Sequence, residues 1–155
     1  MRIIRGILKG KKIFLPSDKL TRPLRDMVKE SIFNLLEHSS KFGSKIENAK
    51  ILDLFSGSGS FGFECISRKC KKVTFVENYP EALKILKKNI KNLDIENKCK
   101  IIDQDIFILF NSDYFFENKF DIIFIDAPYK EEKINFLIFT IKNKKILSDK
   151  GIIII

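Results

Sequence analysis

The stretch that decides the fold is DLFSGSGSFG, Asp53 to Gly62. It ends the apolar run AKILDLF (49–55) and opens SFGFECISRK (60–69), so a strand, a glycine-rich turn and a helix follow one another. Gly57, Gly59 and Gly62 satisfy G-x-G-x-x-G, a turn whose backbone can come close to an anionic or nucleotide-like ligand. Spacing alone does not say which ligand.

Outward from this turn the chain keeps alternating. KVTFVEN (72–78) reads as a strand, PEALKILKKNIKNL (80–93) as a helix and KCKIIDQD (98–105) as a strand. A Phe-rich helix or loop, the strand FDIIFID (120–126), the helix KEEKINFLIFTIKN (130–143) and a last strand GIIII (151–155) complete the series. Strands alternating with helices at this spacing mean an α/β fold with a parallel sheet, and nearly continuous apolar strands mean helices on both faces. In such a sheet ligands bind beyond the carboxyl ends of the strands. Asp53, Glu77, Asp105 and Asp126 stand there, one at or beside the end of each of the first four strands. Any one of them alone is an ordinary cap or loop residue. Four converging carboxylates repel unless a ligand or hydrogen bonds compensate them.

Glu77 follows Gly57 by twenty residues, which also fits a nicotinamide dinucleotide site. Asp53 at the mouth of the turn argues against it, because it would repel a pyrophosphate but could accept a charge-assisted hydrogen bond from an ammonium group. A dehydrogenase would also need chain for a substrate domain. The site therefore favours a cofactor with a positive end.

The N-terminal part differs in character. RIIRGILKGKKIFLP (2–16) reads as a β-hairpin turning at Lys9-Gly10, and TRPLRDMVKESIFNLLEHSS (21–40) as an amphipathic helix with Pro23 in its first turn. Its apolar stripe is assigned to Leu24, Met27, Val28, Ile32, Leu35 and Leu36. SSKFGSK (39–45) is the one internal boundary, giving a single domain over 1–155 made of an N-terminal part, 1–45, and a core, 46–155. The sequence has 29 Lys and Arg against 20 Asp and Glu, a net charge of +9, and residues 1–30 carry nine basic and three acidic residues. A Lys-, Ile-, Asn- and Phe-rich composition of the kind AT-rich coding favours would scatter lysine evenly. It would not place four of the five arginines in this segment. Arginine's planar fork suits phosphate, so Arg2, Arg5, Lys9, Lys11, Lys12, Arg22 and Arg25 are expected to face a nucleic acid.

Other classes are disfavoured. Cationic residues interrupt the N-terminal apolar runs before a signal peptide could form, and INFLIFTI is too short to span a bilayer. Cys65, Cys70 and Cys99 lack paired spacing, so neither a zinc site nor a disulfide framework is expected. A reducing cytoplasm, no metal, no membrane and a monomeric state are the expectations. Cys65, inside a helix, reads as a core residue. His38, the only histidine, reads as a residue near the end of its helix with no catalytic part.

DLFSGSGSFG resembles the first motif of the Rossmann-like S-adenosylmethionine (SAM)-dependent methyltransferases. DAPY, Asp126 to Tyr129, resembles the (D/N)PPY motif of enzymes that methylate exocyclic amines of bases. Together with RIIRGILKGKKIFLP and TRPLRDMVKESIFNLL, these motifs make the whole chain similar to the RsmD family of 16S rRNA guanine-N2 methyltransferases. The resemblance implies that Glu77 holds the ribose hydroxyls and that Asp105 lies near the adenine amine. Asp53, Phe55, Gly57, Gly59, Gly62, Asn78 and Ile106 complete the implied cofactor set. It also implies that Asp126 and the Ala127 carbonyl bind the two hydrogens of the target amine, with Pro128 and Tyr129 completing the motif and Tyr129 stacking on the base. The implied partner is 16S rRNA or the assembling small ribosomal subunit. Two departures are visible. Ala127 replaces the motif's first proline, keeping the carbonyl and losing the fixed φ. The family pattern also continues past GIIII with a helix and a strand pair, so a sheet lacking that C-terminal strand pair is expected. DNA adenine-N6 or cytosine-N4 methylation shares the DAPY chemistry, and a SAM- or RNA-binding module without activity is a third alternative.

Overall fold

The computed structural model describes residues 1–17, 26–38, 46–112, 119–128 and 131–155. Five strands, β1 (Lys50–Leu54), β2 (Lys72–Glu77), β3 (Cys99–Asp103), β4 (Phe120–Ile125) and β5 (Leu147–Ile154), form one sheet in the order β3-β2-β1-β4-β5. All four pairings are parallel. The order reverses between β1 and β4, the position at which an open parallel sheet leaves a crevice above its carboxyl edge. The sheet is the Rossmann-like one the alternating pattern predicts.

Side chains along each strand alternate between the two faces, and two buried clusters follow from that alternation. Ile51, Val73, Phe75, Ile122 and Phe124 pack on one face. They meet α2 (Ser60–Ser67), α3 (Pro80–Leu93), α1 (Asp26–His38) and the N-terminal segment. Leu52, Leu54, Val76, Ile123 and Ile125 pack on the other, against α4 (Ile106–Asn111) and α5 (Ile134–Asn143). Local chemistry sets the helix ends. Pro80 opens α3 with a φ already suited to the first turn, and Asp94 closes it in the left-handed conformation. Asp105 caps α4, its side chain accepting from the N–H groups of Phe107 and Ile108.

The N-terminal hairpin is narrower than the sequence predicts. One antiparallel bridge, Arg2 to Lys12, joins its arms, and turns occupy residues 5–10. Backbone bonds cross between the arms at Ile3, Gly10 and Ile13, and the segment also bonds to buried polar side chains of the helices beneath it. Ile4 N–H donates to Glu64 Oε1 (2.7 Å), Leu8 N–H to Ser67 Oγ (2.9 Å) and Phe14 N–H to Asn89 Oδ1 (2.8 Å). Glu64, Ser67 and Asn89 are all fully buried. The N-terminal segment is thus sewn onto α2 and α3.

The expected apolar stripe of α1 is corrected. Met27, Val28 and Leu35 are exposed, while Lys29, Phe33 and Leu36 are buried and Ile32 packs beside them; Leu24 lies outside the described residues. The helix is turned by what lies under it. Phe33 stacks on Phe61 (5.2 Å), which stacks on Phe124 of β4 (4.0 Å), and the Arg68 guanidinium lies over Phe33 (4.1 Å). The Lys29 ammonium sits 3.3 Å from Glu64 and 3.4 Å from Asp26, in charge contact but without hydrogen-bond alignment to an acceptor among the described residues. Glu64 also pairs with Arg68, which reaches Glu37 on α1 at 2.6 Å.

This network gives an asymmetric expectation for two substitutions. Glu64→Ala strands a buried ammonium and orphans the Ile4 N–H, and should cost about 3–5 kcal/mol of folding free energy. Lys29→Met removes a buried cation whose hydrogen bonds are poorly met and should change stability by about 1 kcal/mol or less. Thermal unfolding of the two variants checks this; equal losses would show that the Lys29–Glu64 pair itself carries the stability.

Candidate functional site

The crevice above β1 and β4 is built by the turn after β1. Asp53 is the penultimate residue of β1, not a residue beyond it, and its side chain is buried. The Gly62 N–H donates to Asp53 Oδ2 (3.1 Å), which fastens the start of α2 to the strand. Gly59 and Gly62 are needed for close approach: a Cβ on Gly59 would lie 2.6 Å from Leu86 and Phe63, and one on Gly62 2.3 Å from the Phe75 ring. Gly57, at φ +53°, has open space where its Cβ would be, so the turn presents bare backbone there. Phe55 also holds a left-handed backbone, φ +57°, a costly conformation for a phenylalanine and one that gathers at binding sites.

Beside this turn lies a pocket lined by Phe55, Val76, Glu77, Asn78, Gln104, Asp105 and Ile106. Five of these belong to the predicted cofactor set. Glu77 accepts from the N–H groups of Gly57 (2.7 Å), Asn78 (2.9 Å) and Tyr79 (2.8 Å), so its carboxylate organises both sides of the pocket. Asp105 uses Oδ1 on the α4 cap, whereas Oδ2 faces Asn78 Nδ2 at 3.4 Å. Val76 and Gln104 were not legible as lining residues: each precedes an acid whose own signal masked it. Phe107, outside the lining, tilts against Phe55 (6.1 Å) and carries Lys133 over its ring (5.1 Å).

Burial pushes the Asp53 carboxyl well above the ordinary carboxylate range; the Gly62 hydrogen bond opposes this, and the nearby Asp126 and Glu77 push it further up. Asp126, just past β4, is exposed as a residue, yet partial burial of its carboxyl raises it as well. No hydrogen bond or ion pair among the described residues engages the Asp126 carboxylate or the Ala127 carbonyl. Ala127 is half-buried and Pro128 exposed, and the Pro128 carbonyl accepts from the Glu131 N–H (2.8 Å). Tyr129 lies outside the described residues.

Of the predicted basic surface, Arg2, Lys9, Lys11 and Lys12 are exposed. The Arg5 guanidinium is engaged by Glu37 at 2.8 Å, and Arg22 and Arg25 lie outside the described residues. Cys65 is buried, and burial raises its thiol far above the usual range, as suits a core residue. Burial likewise lifts Cys70 and Cys99 to about 12. His38 ends α1, exposed, 3.9 Å from Glu37. Among the described residues no acid, histidine and cysteine cluster could hold a metal ion, and no helix is long and apolar enough to cross a membrane.

Known proteins resemble this chain in sequence and in fold. Ribosomal RNA small subunit methyltransferase D of Buchnera aphidicola subsp. Acyrthosiphon pisum is 37% identical over 154 residues, a span covering 99% of this chain and 75% of that one. The solved structure of Escherichia coli yhhF superposes with a TM-score of 0.82 at 26% identity, covering 99% of this chain and 78% of that one. The SAH-bound Podospora anserina methyltransferase PaMTH1 matches with a TM-score of 0.58 at 25% identity, over 68% of this chain and 44% of that one. The family described as Conserved hypothetical protein 95 matches residues 1–155. With that match over its whole length, the chain belongs to this family, the RsmD family of methyltransferases.

Proposed function

We propose that the protein transfers a methyl group from SAM to the exocyclic N2 amine of a guanine in 16S rRNA, working as one domain whose N-terminal segment faces the RNA. The observation that carries this reading is the pair of acceptors unengaged among the described residues, the Asp126 carboxylate and the Ala127 carbonyl, at the carboxyl edge beside the buried Asp53. The relatives named as rRNA methyltransferases support the substrate class, and the SAH-bound neighbour supports the donor.

The residues fit the cofactor. Asp53 supplies a buried negative charge for its ammonium group, one lone-pair site of Glu77 remains for a ribose hydroxyl, and Asp105 Oδ2 with Asn78 offers polar contacts at the far end of the pocket. Phe55 and Ile106 provide the apolar walls for an adenine. When bound, SAM supplies a sulfonium-activated methyl group. The chain supplies alignment. A guanine amine is a poor nucleophile because its lone pair is delocalised into the ring. Asp126 and the Ala127 carbonyl, accepting its two hydrogens, turn the nitrogen toward a tetrahedral shape and aim the lone pair at the methyl group. Arg2, Lys9, Lys11 and Lys12 hold the phosphates, and Tyr129 stacks on the extruded base.

The direct test is incubation of labelled SAM with unmodified small-subunit particles and with naked 16S rRNA, then digestion to nucleosides. Label in N2-methylguanosine is expected; label in another nucleoside, or none with SAM bound, would overturn the assignment.

Asp126→Ala should lower kcat by about 10²–10³ and leave the SAM dissociation constant within about threefold of the parent; matching losses in both would remove Asp126 from the target-amine role. Asp53→Asn should do the reverse, weakening SAM by about ten- to a hundredfold through loss of a charge-assisted bond. The same variant should be the more stable protein. A carboxyl raised on folding contributes stability below its unfolded value, near pH 4, and loses it as pH rises toward the folded value. The stability gap should therefore widen with pH, by at most about 1.4 kcal/mol per unit, and denaturant titrations between pH 4 and 8 measure it.

A further inference from the structure

We propose that Lys84, Lys88 and Lys91 of α3 join Lys11 and Lys12 across the ring of Phe14 as a single surface that tracks RNA phosphates beside the cofactor loop. The proposal rests on the rRNA reading above and extends its binding surface to a helix whose sequence, an amphipathic run of lysines and apolar residues, gives no sign of it.

Lys84, Lys88 and Lys91 fall at i, i+4 and i+7, one row on the outer face of α3, and all three are exposed. The N-terminal segment brings a second basic group to this row. The Lys88 ammonium lies 4.1 Å from the Phe14 ring centroid and the Lys12 ammonium 5.8 Å from it. The two charges are therefore no farther apart than roughly one Debye length at 0.1 M salt, about 10 Å. Among the described residues no carboxylate pairs with Lys11, Lys12, Lys84, Lys88 or Lys91. Lys87, one residue off the row, is different: its ammonium lies 3.7 Å from Asp103. Like charges from two separate elements, Lys12 and Lys88, gathered on one aromatic ring with no paired carboxylate among the described residues, lower their free energy when an anion joins them.

Asn89 fixes where that anion would lie. Its buried amide accepts from the Phe14 N–H (2.8 Å) and donates to the carbonyls of Phe14 (3.0 Å) and Ser58 (3.0 Å). Ser58 sits between Gly57 and Gly59, so one side-chain amide ties the cationic ring to the loop that borders the cofactor pocket. A polyanion lying along Lys91, Lys88 and Lys84 is led past Phe14 to the rim where a base must be presented. An RNA backbone fits this geometry better than an acidic protein, because the row points to a site that acts on a base.

The test compares the Lys84→Gln/Lys88→Gln/Lys91→Gln variant of the full chain with the parent and with Lys87→Gln. Affinity for a naked 16S rRNA transcript is measured across a salt series, and SAM affinity by calorimetry. The triple variant should bind RNA at least tenfold more weakly in 0.1 M salt and show a log K against log salt slope shallower by about 2. Lys87→Gln should match the parent, and SAM affinity should hold throughout. A parent-like slope in the triple variant overturns this surface while leaving the methyltransferase assignment standing. A log-affinity loss in Lys87→Gln of about a third or more of the triple variant's also overturns it, since net charge alone would then explain the effect, and so does competition by polyglutamate as effective as by RNA of equal charge. A parent chain that binds no RNA overturns the substrate assignment and this surface together.

Discussion

The close approach of α2 to the sheet is the constraint on which the rest hangs. Gly62 lets the helix lie against Phe75 at a distance no side chain would permit, and its N–H is held by Asp53 from within β1. With α2 pinned this way, Phe61 reaches the β4 ring beneath it, and Glu64 and Ser67 are carried inward on the same helix. Those two polar groups would be costly there without partners. The N-terminal segment and α1 provide them, so the positions of residues 1–17 and of α1 follow from the absence of a side chain at residue 62.

The carboxyl edge shows a graded solution to charge crowding. Glu77 and Asp105 are occupied by backbone N–H groups at a turn and a helix start, which fixes the pocket walls. Asp53 has one such bond and deep burial. Asp126 has none among the described residues. The order of decreasing internal compensation runs from the pocket wall to the rim, and the groups left least satisfied are those a cationic cofactor and a base amine would meet.

Much of this was legible in the sequence, for identifiable reasons. The strands are short apolar runs bounded by charged or glycine residues, and helix 80–93 has a proline at one end and a strong amphipathic period, so elements and topology class could be read directly. Asp53, Glu77, Asp105 and Asp126 were found because strand ends in a parallel sheet share one rim. What failed to show was rotation and docking. In α1 two helical faces carry apolar residues, and only the buried Glu64 and the Phe61 ring, distant in sequence, select Phe33 and Leu36 over Met27 and Leu35. Likewise the chain 2–16 has hairpin chemistry, but beside its cross-arm bonds it is held by Glu64, Ser67 and Asn89, whose polarity reads locally as helix surface. Arg5 counted as a free cation until Glu37 was seen beside it.

The fastening of the N-terminal segment also bears on the order of assembly. Its partners Glu64, Ser67 and Asn89 lie 60, 59 and 75 residues downstream of the groups they bond. Contacts of such long sequence separation form late, after local helices and neighbouring strands have closed their own loops. On a ribosome the segment emerges before α2 and α3 and has nothing to dock on until they have been made. The basic arm that begins the chain thus gains its fixed shape only once the glycine turn beside it exists, and a half-synthesised chain presents loose charge without an organised site.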